Sequence, residues 1–249
     1  MQKPRLITLI SDFGLADHYV AAMKAVLLSA CPAAQLIDVT HQIPRHDILA
    51  GSFALERSLA AFAPKTAHLC VIDPGVGSDR RALLVEIAGQ FVVLPDNGLI
   101  TWAWHRLPGG TAREITWRPA QSSTTFHGRD LFAPIAGLVA AGKLSANRLG
   151  GNISPKLLAV RPTHGDSGQI IHIDHFGNAT TNIVDDGRRD YRVFVKNKSL
   201  GRLKGTYSDV GRGKPLALIG SSGLLEIAVR EGSAAEKLRL NCGEKVVRR

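Results

Sequence analysis

Short apolar runs, each stopped by a polar turn, recur along the first part of this chain and restrict what it can become. Leu6–Ile10 stops at Ser11-Asp12-Phe13-Gly14, Leu36–Val39 at Thr40-His41, and His68–Ile72 at Asp73-Pro74-Gly75-Val76-Gly77. Runs of this length bounded by turn residues read as buried strands. Between them lie stretches with helical spacing. Tyr19–Leu28 has Asp17 placed to cap it, and Ile48–Phe62 is stopped by Pro64. Ala82–Ile87 and Phe91–Leu94 flank Ala88-Gly89-Gln90 as a hairpin. Leu99–Trp104 starts a helix, Ala112–Trp117 is a further strand, and an apolar helix follows Phe126-His127-Gly128-Arg129-Asp130 and ends near Ala141-Gly142. Strands alternating with helices predict an α/β domain with a layered sheet, and the hairpin makes that sheet mixed. In such sheets the residues after successive strands gather along one edge, where ligands bind.

Beyond about residue 160 the helical spacing fades. Ile170–Ile173, Tyr191–Val195, Leu216–Ile219 and Leu224–Val229 are short strand-like runs separated by Gly and Asp turns. The expectation is an N-terminal layered mixed-sheet α/β domain, residues 1–162, followed by a smaller C-terminal β-barrel-like domain, residues 163–249. The chain break falls within Arg161–Ser167.

The formal charge of +10 permits attraction to an anionic surface, but no dense basic run, finger spacing or basic amphipathic helix accompanies it, so nucleic acid is not the expected partner. No run reaches membrane-spanning length, and Leu6–Ile10 is too short for the core of a signal peptide. Cys31, Cys70 and Cys242 are odd in number and widely spaced, which fits reduced thiols in a cytoplasmic protein and gives no metal pair. His172 and His175 lack a third ligand at metal spacing.

Several turns carry groups suited to chemistry. Asp12 at a strand end has the two acceptors a ribose diol needs, and is equally suited to an Asx-turn. Asp73 leads a glycine-rich turn, and an arginine of the Arg80-Arg81 pair can fold back on it as a fork, either for function or as a structural clamp. His127, at a helix entrance, can position water or exchange a proton near neutral pH, or simply pack there. Asp174, Phe176 and Asn178 bring a carboxylate, a ring and an amide to one turn, the set that a purine nucleoside bearing a charged amine calls for. Ser221 and Ser222 stand in Gly220-Ser221-Ser222-Gly223, a turn whose donors suit a carboxylate, and Ser222 lacks a nucleophile-elbow context.

Taken in order, Thr8–Gly14, Asp73–Gly77, Pro95-Asp96-Asn97-Gly98, Ser123–Asp130, Asp174–Asn182 and Gly220–Ala228 resemble the S-adenosylmethionine hydroxide adenosyltransferase family, relatives of the fluorinase and chlorinase. The resemblance spans nearly the whole chain. It implies hydrolysis of S-adenosyl-L-methionine to adenosine and methionine by a water-derived nucleophile at C5′, with no cofactor. It places the hydrolytic trio on Asp73, Arg80 and His127, and the ribose carboxylate on Asp12. Asp174 falls where the methionine ammonium is held, with Asp17 also near the site. Phe176 and Asn178 fall where adenine is held, and Ser221 and Ser222 at the methionine carboxylate. It further implies a homotrimer whose active sites lie at subunit interfaces. Halogenation is the alternative activity; against it, the halogen-using relatives resemble one another in a threonine-rich, tyrosine-containing loop where this chain keeps Asp73–Arg80. Substrate binding without turnover is a second alternative.

Overall fold

The computed structural model describes residues 5–249 and divides into two compact units, one ending at Ala159 and one spanning Val160–Arg249. The first unit contains strands β1 (Arg5–Ser11), β2 (Ala34–Thr40), β3 (Ala67–Val71), β4 (Ala82–Ile87), β5 (Gln90–Pro95), β6 (Thr111–Ile115) and β7 (Leu149–Asn152). Its helices are α1 (Tyr19–Ala30), α2 (Ile48–Ala61), α3 (Thr101–Arg106) and α4 (Ala133–Ala140), the last entered through a π-helical turn, Gly128–Phe132.

Alternation along the strands shows why both faces of this sheet are covered. Ile7, Leu9, Leu69 and Val71 point to one core, where Met23 and Leu27 of α1 and Ile135 and Ala136 of α4 meet them. Ile10 and Cys70 point to the other, against Leu55 and Leu59 of α2 and Ala103 of α3. Successive side chains of a strand face opposite ways, so a strand buried on both sides must be apolar throughout. That is the short, unbroken pattern of the sequence.

The sheet order is β2-β1-β3-β5-β4-β6-β7. β2, β1, β3 and β5 run parallel, and the β4–β5 hairpin makes the remainder antiparallel. The chain goes from β1 through α1 to one side, then through α2 back across to β3 on the other side. The carboxyl ends of β1 and β3 therefore flank the point where strand order reverses, the usual crevice of an open α/β sheet. Asp12 and Asp73 follow those two strand ends.

Two local expectations need correction. Asp17 does not cap α1: His18 occupies the cap position with helical backbone and no side-chain cap bond, which leaves Asp17 one residue too early and exposed. α3 begins at Thr101 rather than Leu99, because Gly98–Thr101 closes a turn in which the Thr101 hydroxyl donates to the Gly98 carbonyl at 2.6 Å. By contrast, Asp47 caps α2 by accepting from the Ala50 N–H at 2.9 Å.

The second unit is a seven-stranded antiparallel sheet of β8 (Ser167–Ile173), β9 (Ala179–Val184), β10 (Arg192–Val195), β11 (Lys198–Arg202), β12 (Pro215–Ile219), β13 (Leu224–Val229) and β14 (Lys245–Arg248). In the order β11-β10-β14-β8-β9-β13-β12, the edge strands approach each other where Lys204 bridges Leu218, so the sheet is nearly a closed barrel. Ile170, Ile183, Val193, Leu225, Ile227 and Val246 fill it. β9 is absent from the apolar pattern because it reads Ala-Thr-Thr-Asn-Ile-Val. Its polar groups are paired internally: the Thr181 hydroxyl donates to the Leu225 carbonyl at 2.8 Å, and the Asn182 carboxamide accepts from Gln169 N–H at 2.7 Å. Its one α-helix, α5 (Ala234–Leu238), is five residues long, and Tyr207–Asp209 forms a single 3-10 turn. No helix among the described residues is long and apolar enough to cross a membrane.

Candidate active site

The first unit gathers Asp73, Arg80 and His127. The Asp73 turn and the Ser123–His127 segment lie against each other at Gly77, which has φ +80°; a Cβ there would stand 2.8 Å from the Thr124 carbonyl oxygen. Only glycine supplies both the left-handed backbone and the room. Arg80 Nε donates to Asp73 Oδ1 at 2.9 Å and Oδ2 at 3.0 Å, and Nη2 donates to Oδ2 at 2.5 Å. Both side chains are deeply buried, 8% exposed for Arg80 and 5% for Asp73. The guanidinium also lies over the Phe132 ring, 4.9 Å from its centre.

Arg80 Nη2 also donates to His127 Nδ1 at 2.8 Å. A guanidinium carries donors only, so Nδ1 must be the unprotonated nitrogen and the neutral ring holds its proton on Nε2. Burial lowers the pKa of His127, and the positive charges of Arg80 and Arg118 lower it further against Asp73 and Asp130. Arg80 Nη1 and His127 Nε2–H have no partner among the described residues. The cluster thus keeps donor hydrogens on Arg80 Nη1 and His127 Nε2, while both Asp73 oxygens accept from Arg80.

Asp12, whose side chain is 8% exposed, accepts from the His46 N–H at 2.9 Å through Oδ2. Burial raises the pKa of the nearby Cys70 thiol, and the charge of Asp12 adds to the rise. Asp17 is exposed and makes no hydrogen bond or ion pair with a described residue. Phe13, Tyr19, Ser123, Thr125, Phe126 and Arg129 line a cleft of about 330 Å³ in the same unit. Four neighbouring charged side chains are committed to one another in two pairs. Arg81 holds Asp96, which also accepts from Lys156 N–H at 2.7 Å, and Arg129 forks onto Asp130.

The second unit has its own cleft, of about 800 Å³, whose lining includes Asp174, Phe176, Asn178, Tyr207, Ser221 and Glu226. Asp174 Oδ1 accepts from Phe176 N–H at 2.9 Å and Asn178 N–H at 2.8 Å, and Oδ2 accepts from the Asn178 amide at 3.1 Å. This tight turn leaves the Phe176 ring 74% exposed. Ser222 follows Ser221 in the turn between β12 and β13.

Tyr207 and Glu226 of this cleft escaped the sequence reading. The Tyr207 hydroxyl donates to Glu226 Oε1 at 2.7 Å. Burial raises the pKa of Glu226, with the Asp174 charge adding to it. Burial and the Glu226 bond push Tyr207 up to about 12. Glu226 has a sequence signal, an acid inside the apolar run Leu224–Val229; Tyr207 has none. Among the described residues no three His, Cys, Asp or Glu side chains cluster as a metal set.

Comparison with known proteins accounts for both units. The SAM hydroxide adenosyltransferase N-terminal domain model matches residues 7–150 and the C-terminal domain model residues 168–247. An (R)-S-adenosyl-L-methionine hydrolase of Thermus thermophilus is 38% identical, covering 97% of this chain and 98% of its own. One from Salinispora arenicola is 36% identical over 96% of each chain. A crystal structure of a conserved Thermotoga maritima protein superposes with a TM-score of 0.87 at 34% identity, covering 98% of this chain and 100% of its own.

Proposed function

The chain belongs to the SAM hydroxide adenosyltransferase family, and on that footing we propose that it hydrolyses S-adenosyl-L-methionine to adenosine and L-methionine. A water-derived oxygen attacks C5′ and its surplus proton goes to solvent, the C5′–S bond breaks, and the electron pair of that bond leaves with sulfur as a neutral thioether. The departing group needs no proton, so no strong general acid is required. The need is for an oxygen held in line with the breaking bond.

The observation that carries this reading is the pair of free donors on Arg80 and His127. N–H groups that donate to the attacking oxygen favour its anionic form, as donors in an oxyanion site do. Asp73 accepts from Arg80 through both oxygens, so in this reading it serves by fixing the guanidinium plane. In this reading the trio steers and stabilises hydroxide rather than deprotonating water with histidine. Asp12 holds the ribose diol and Asp174 the methionine ammonium, with Asp17 adding negative charge. Phe176 and Asn178 take adenine, and Ser221 and Ser222 the methionine carboxylate.

The ligand groups are distributed over both units, and the exposed Phe176 and Leu15 rank among the most exposed large apolar side chains. Both facts support a homotrimer in which active sites are shared between subunits. Free thiols at Cys31, Cys70 and Cys242 go with a reducing, cytoplasmic setting.

The test is incubation with S-adenosyl-L-methionine in heavy-oxygen water containing chloride and fluoride, with products identified by mass. Adenosine carrying the heavy oxygen at its 5′-hydroxyl is the expected product. A 5′-halogenated nucleoside would move the protein to the halogenases. Tight capture without products would make it a binding protein.

A further inference from the structure

Ser11 ends β1 immediately before Asp12, and it is fully buried. Its hydroxyl pairs with His41 Nδ1 at 2.7 Å, and His41 is itself only 3% exposed. On the far side of the ring, Nε2 lies 3.1 Å from Asp38 Oδ1, and Lys24 Nζ donates to Asp38 Oδ2 at 2.6 Å. A carboxylate only accepts, so Nε2 carries a proton and donates to Asp38. The series Ser11–His41–Asp38 has the composition of a nucleophile triad. Yet Ser11 has no exposed surface from which to reach a substrate, so it cannot act as one.

What it can do is hold the turn that follows. The Phe13 N–H points at Ser11 Oγ at 3.4 Å, and the Gly14 N–H donates to the His41 carbonyl at 2.7 Å. The segment after His41 then returns to Asp12, where the His46 N–H donates to its Oδ2. His46 has φ +65°, a left-handed conformation that a histidine does not adopt without cost. The stretch from His41 to His46 therefore grips residues 11–14 by side chain and by backbone, and contacts the Asp12 carboxylate directly.

We infer that His41, braced by Asp38 and bonded to Ser11, is a positioning residue that aims the Asp12 carboxylate at the substrate. The inference rests on the reading that Asp12 holds the ribose hydroxyls. A bidentate contact to a diol is sensitive to direction, and a side chain anchored only by its own turn would lose most of it.

Binding of adenosine and 2′,3′-dideoxyadenosine by calorimetry, with kcat and KM for S-adenosyl-L-methionine, tests this in the wild type, Ser11→Ala, His41→Leu and Asp12→Ala. Expected for Ser11→Ala and His41→Leu is a loss of about 10-fold in preference for adenosine, a similar rise in KM, and kcat held within about 3-fold. Should His41→Leu fail to fold, Ser11→Ala carries the test. If Asp12→Ala abolishes the preference while Ser11→Ala keeps it, the brace is overturned and the ribose role of Asp12 stands. If Asp12→Ala itself keeps the preference, the ribose reading fails, and the inference with it. A fall in kcat at unchanged KM in Ser11→Ala also overturns it.

Discussion

Arginine has no acceptor, and from that one fact the state of His127 follows. To receive the Arg80 bond at Nδ1, the ring must be neutral. Burial, then the charges of Arg80 and Arg118, depress its proton affinity below the ordinary value of 6.5. A depressed value keeps the working form present above 6.5 and loses it only as pH falls through the lower, folded-state value. The acid limb of kcat/KM is thus expected below the normal histidine range. Initial rates across pH will check it, and a limb at or above 6.5 contradicts the assignment. His127→Asn, which keeps an acceptor but cannot titrate, should lack that limb. Arg80→Lys retains charge but not the fork that satisfies Asp73 and His127 together. Its kcat should drop by about 10²-fold while KM moves by a small factor, as steady-state kinetics would show.

The elements carry different risks. Gly77→Ala puts a methyl 2.8 Å from the Thr124 carbonyl oxygen at φ +80°, between the two loops that bear Asp73 and His127. Gly109 has a similar φ of +73° but open space around it. The expected result is a loss of about 1 kcal/mol for Gly109→Ala from backbone strain alone, and more for Gly77→Ala. Only Gly77→Ala should also lose turnover; thermal melts and rate assays on both variants separate strain from displacement. A second element-scale device joins β1, β3 and β5. Thr8 Oγ1 pairs with His68 Nδ1 at 2.7 Å, His68 Nε2 with Gln90 Oε1 at 2.8 Å, and Gln90 Nε2 donates to the Leu59 carbonyl at 2.8 Å. Burial lowers His68 from 6.5 to about 4. The unfolded chain therefore binds the proton first as pH falls. The His68 contribution to stability should be constant above about 6.5 and decline by about 3 kcal/mol toward pH 4. Urea unfolding at several pH values will show it, and His68→Phe should flatten this part of the curve.

At the scale of the whole molecule, the proposed sharing of sites between subunits predicts an outcome that a self-contained subunit does not. Asp73→Ala and Asp174→Ala chains should each be inactive alone. When unfolded together in equal amounts and refolded, a closed ring would rebuild about a quarter of its sites from one intact half of each kind. Activity recovered in that mixture, with a trimer by sedimentation, is the expected outcome. No recovery from a mixture shown to contain hybrid trimers counts against shared sites.

Much of this was legible along the chain because periodicity and turn chemistry are local. Ile7, Leu9 and Ile10 announce a strand covered on both sides, and Ala88-Gly89 announces its hairpin, with φ of 50° and 71° as such a turn requires. The fork of Arg80 on Asp73 was open to sequence reasoning as well, since seven residues and a glycine-rich turn let one arm reach the other. Folding alone decided the rest. β9 hides behind Thr181 and Asn182, whose partners, the Leu225 and Arg161 carbonyls, lie far along the chain. Tyr207 finds Glu226 across 19 residues, and Arg80 finds His127 across 47. Ser11, His41 and Asp38 become one brace only once β1 and β2 lie side by side. Local preference sets which elements form, because it depends on a few neighbouring dihedrals and side chains. Which nitrogen of His127 holds its proton, and where Asp12 points, depend on hydrogen bonds between segments that only the packed sheet brings within 3 Å of each other.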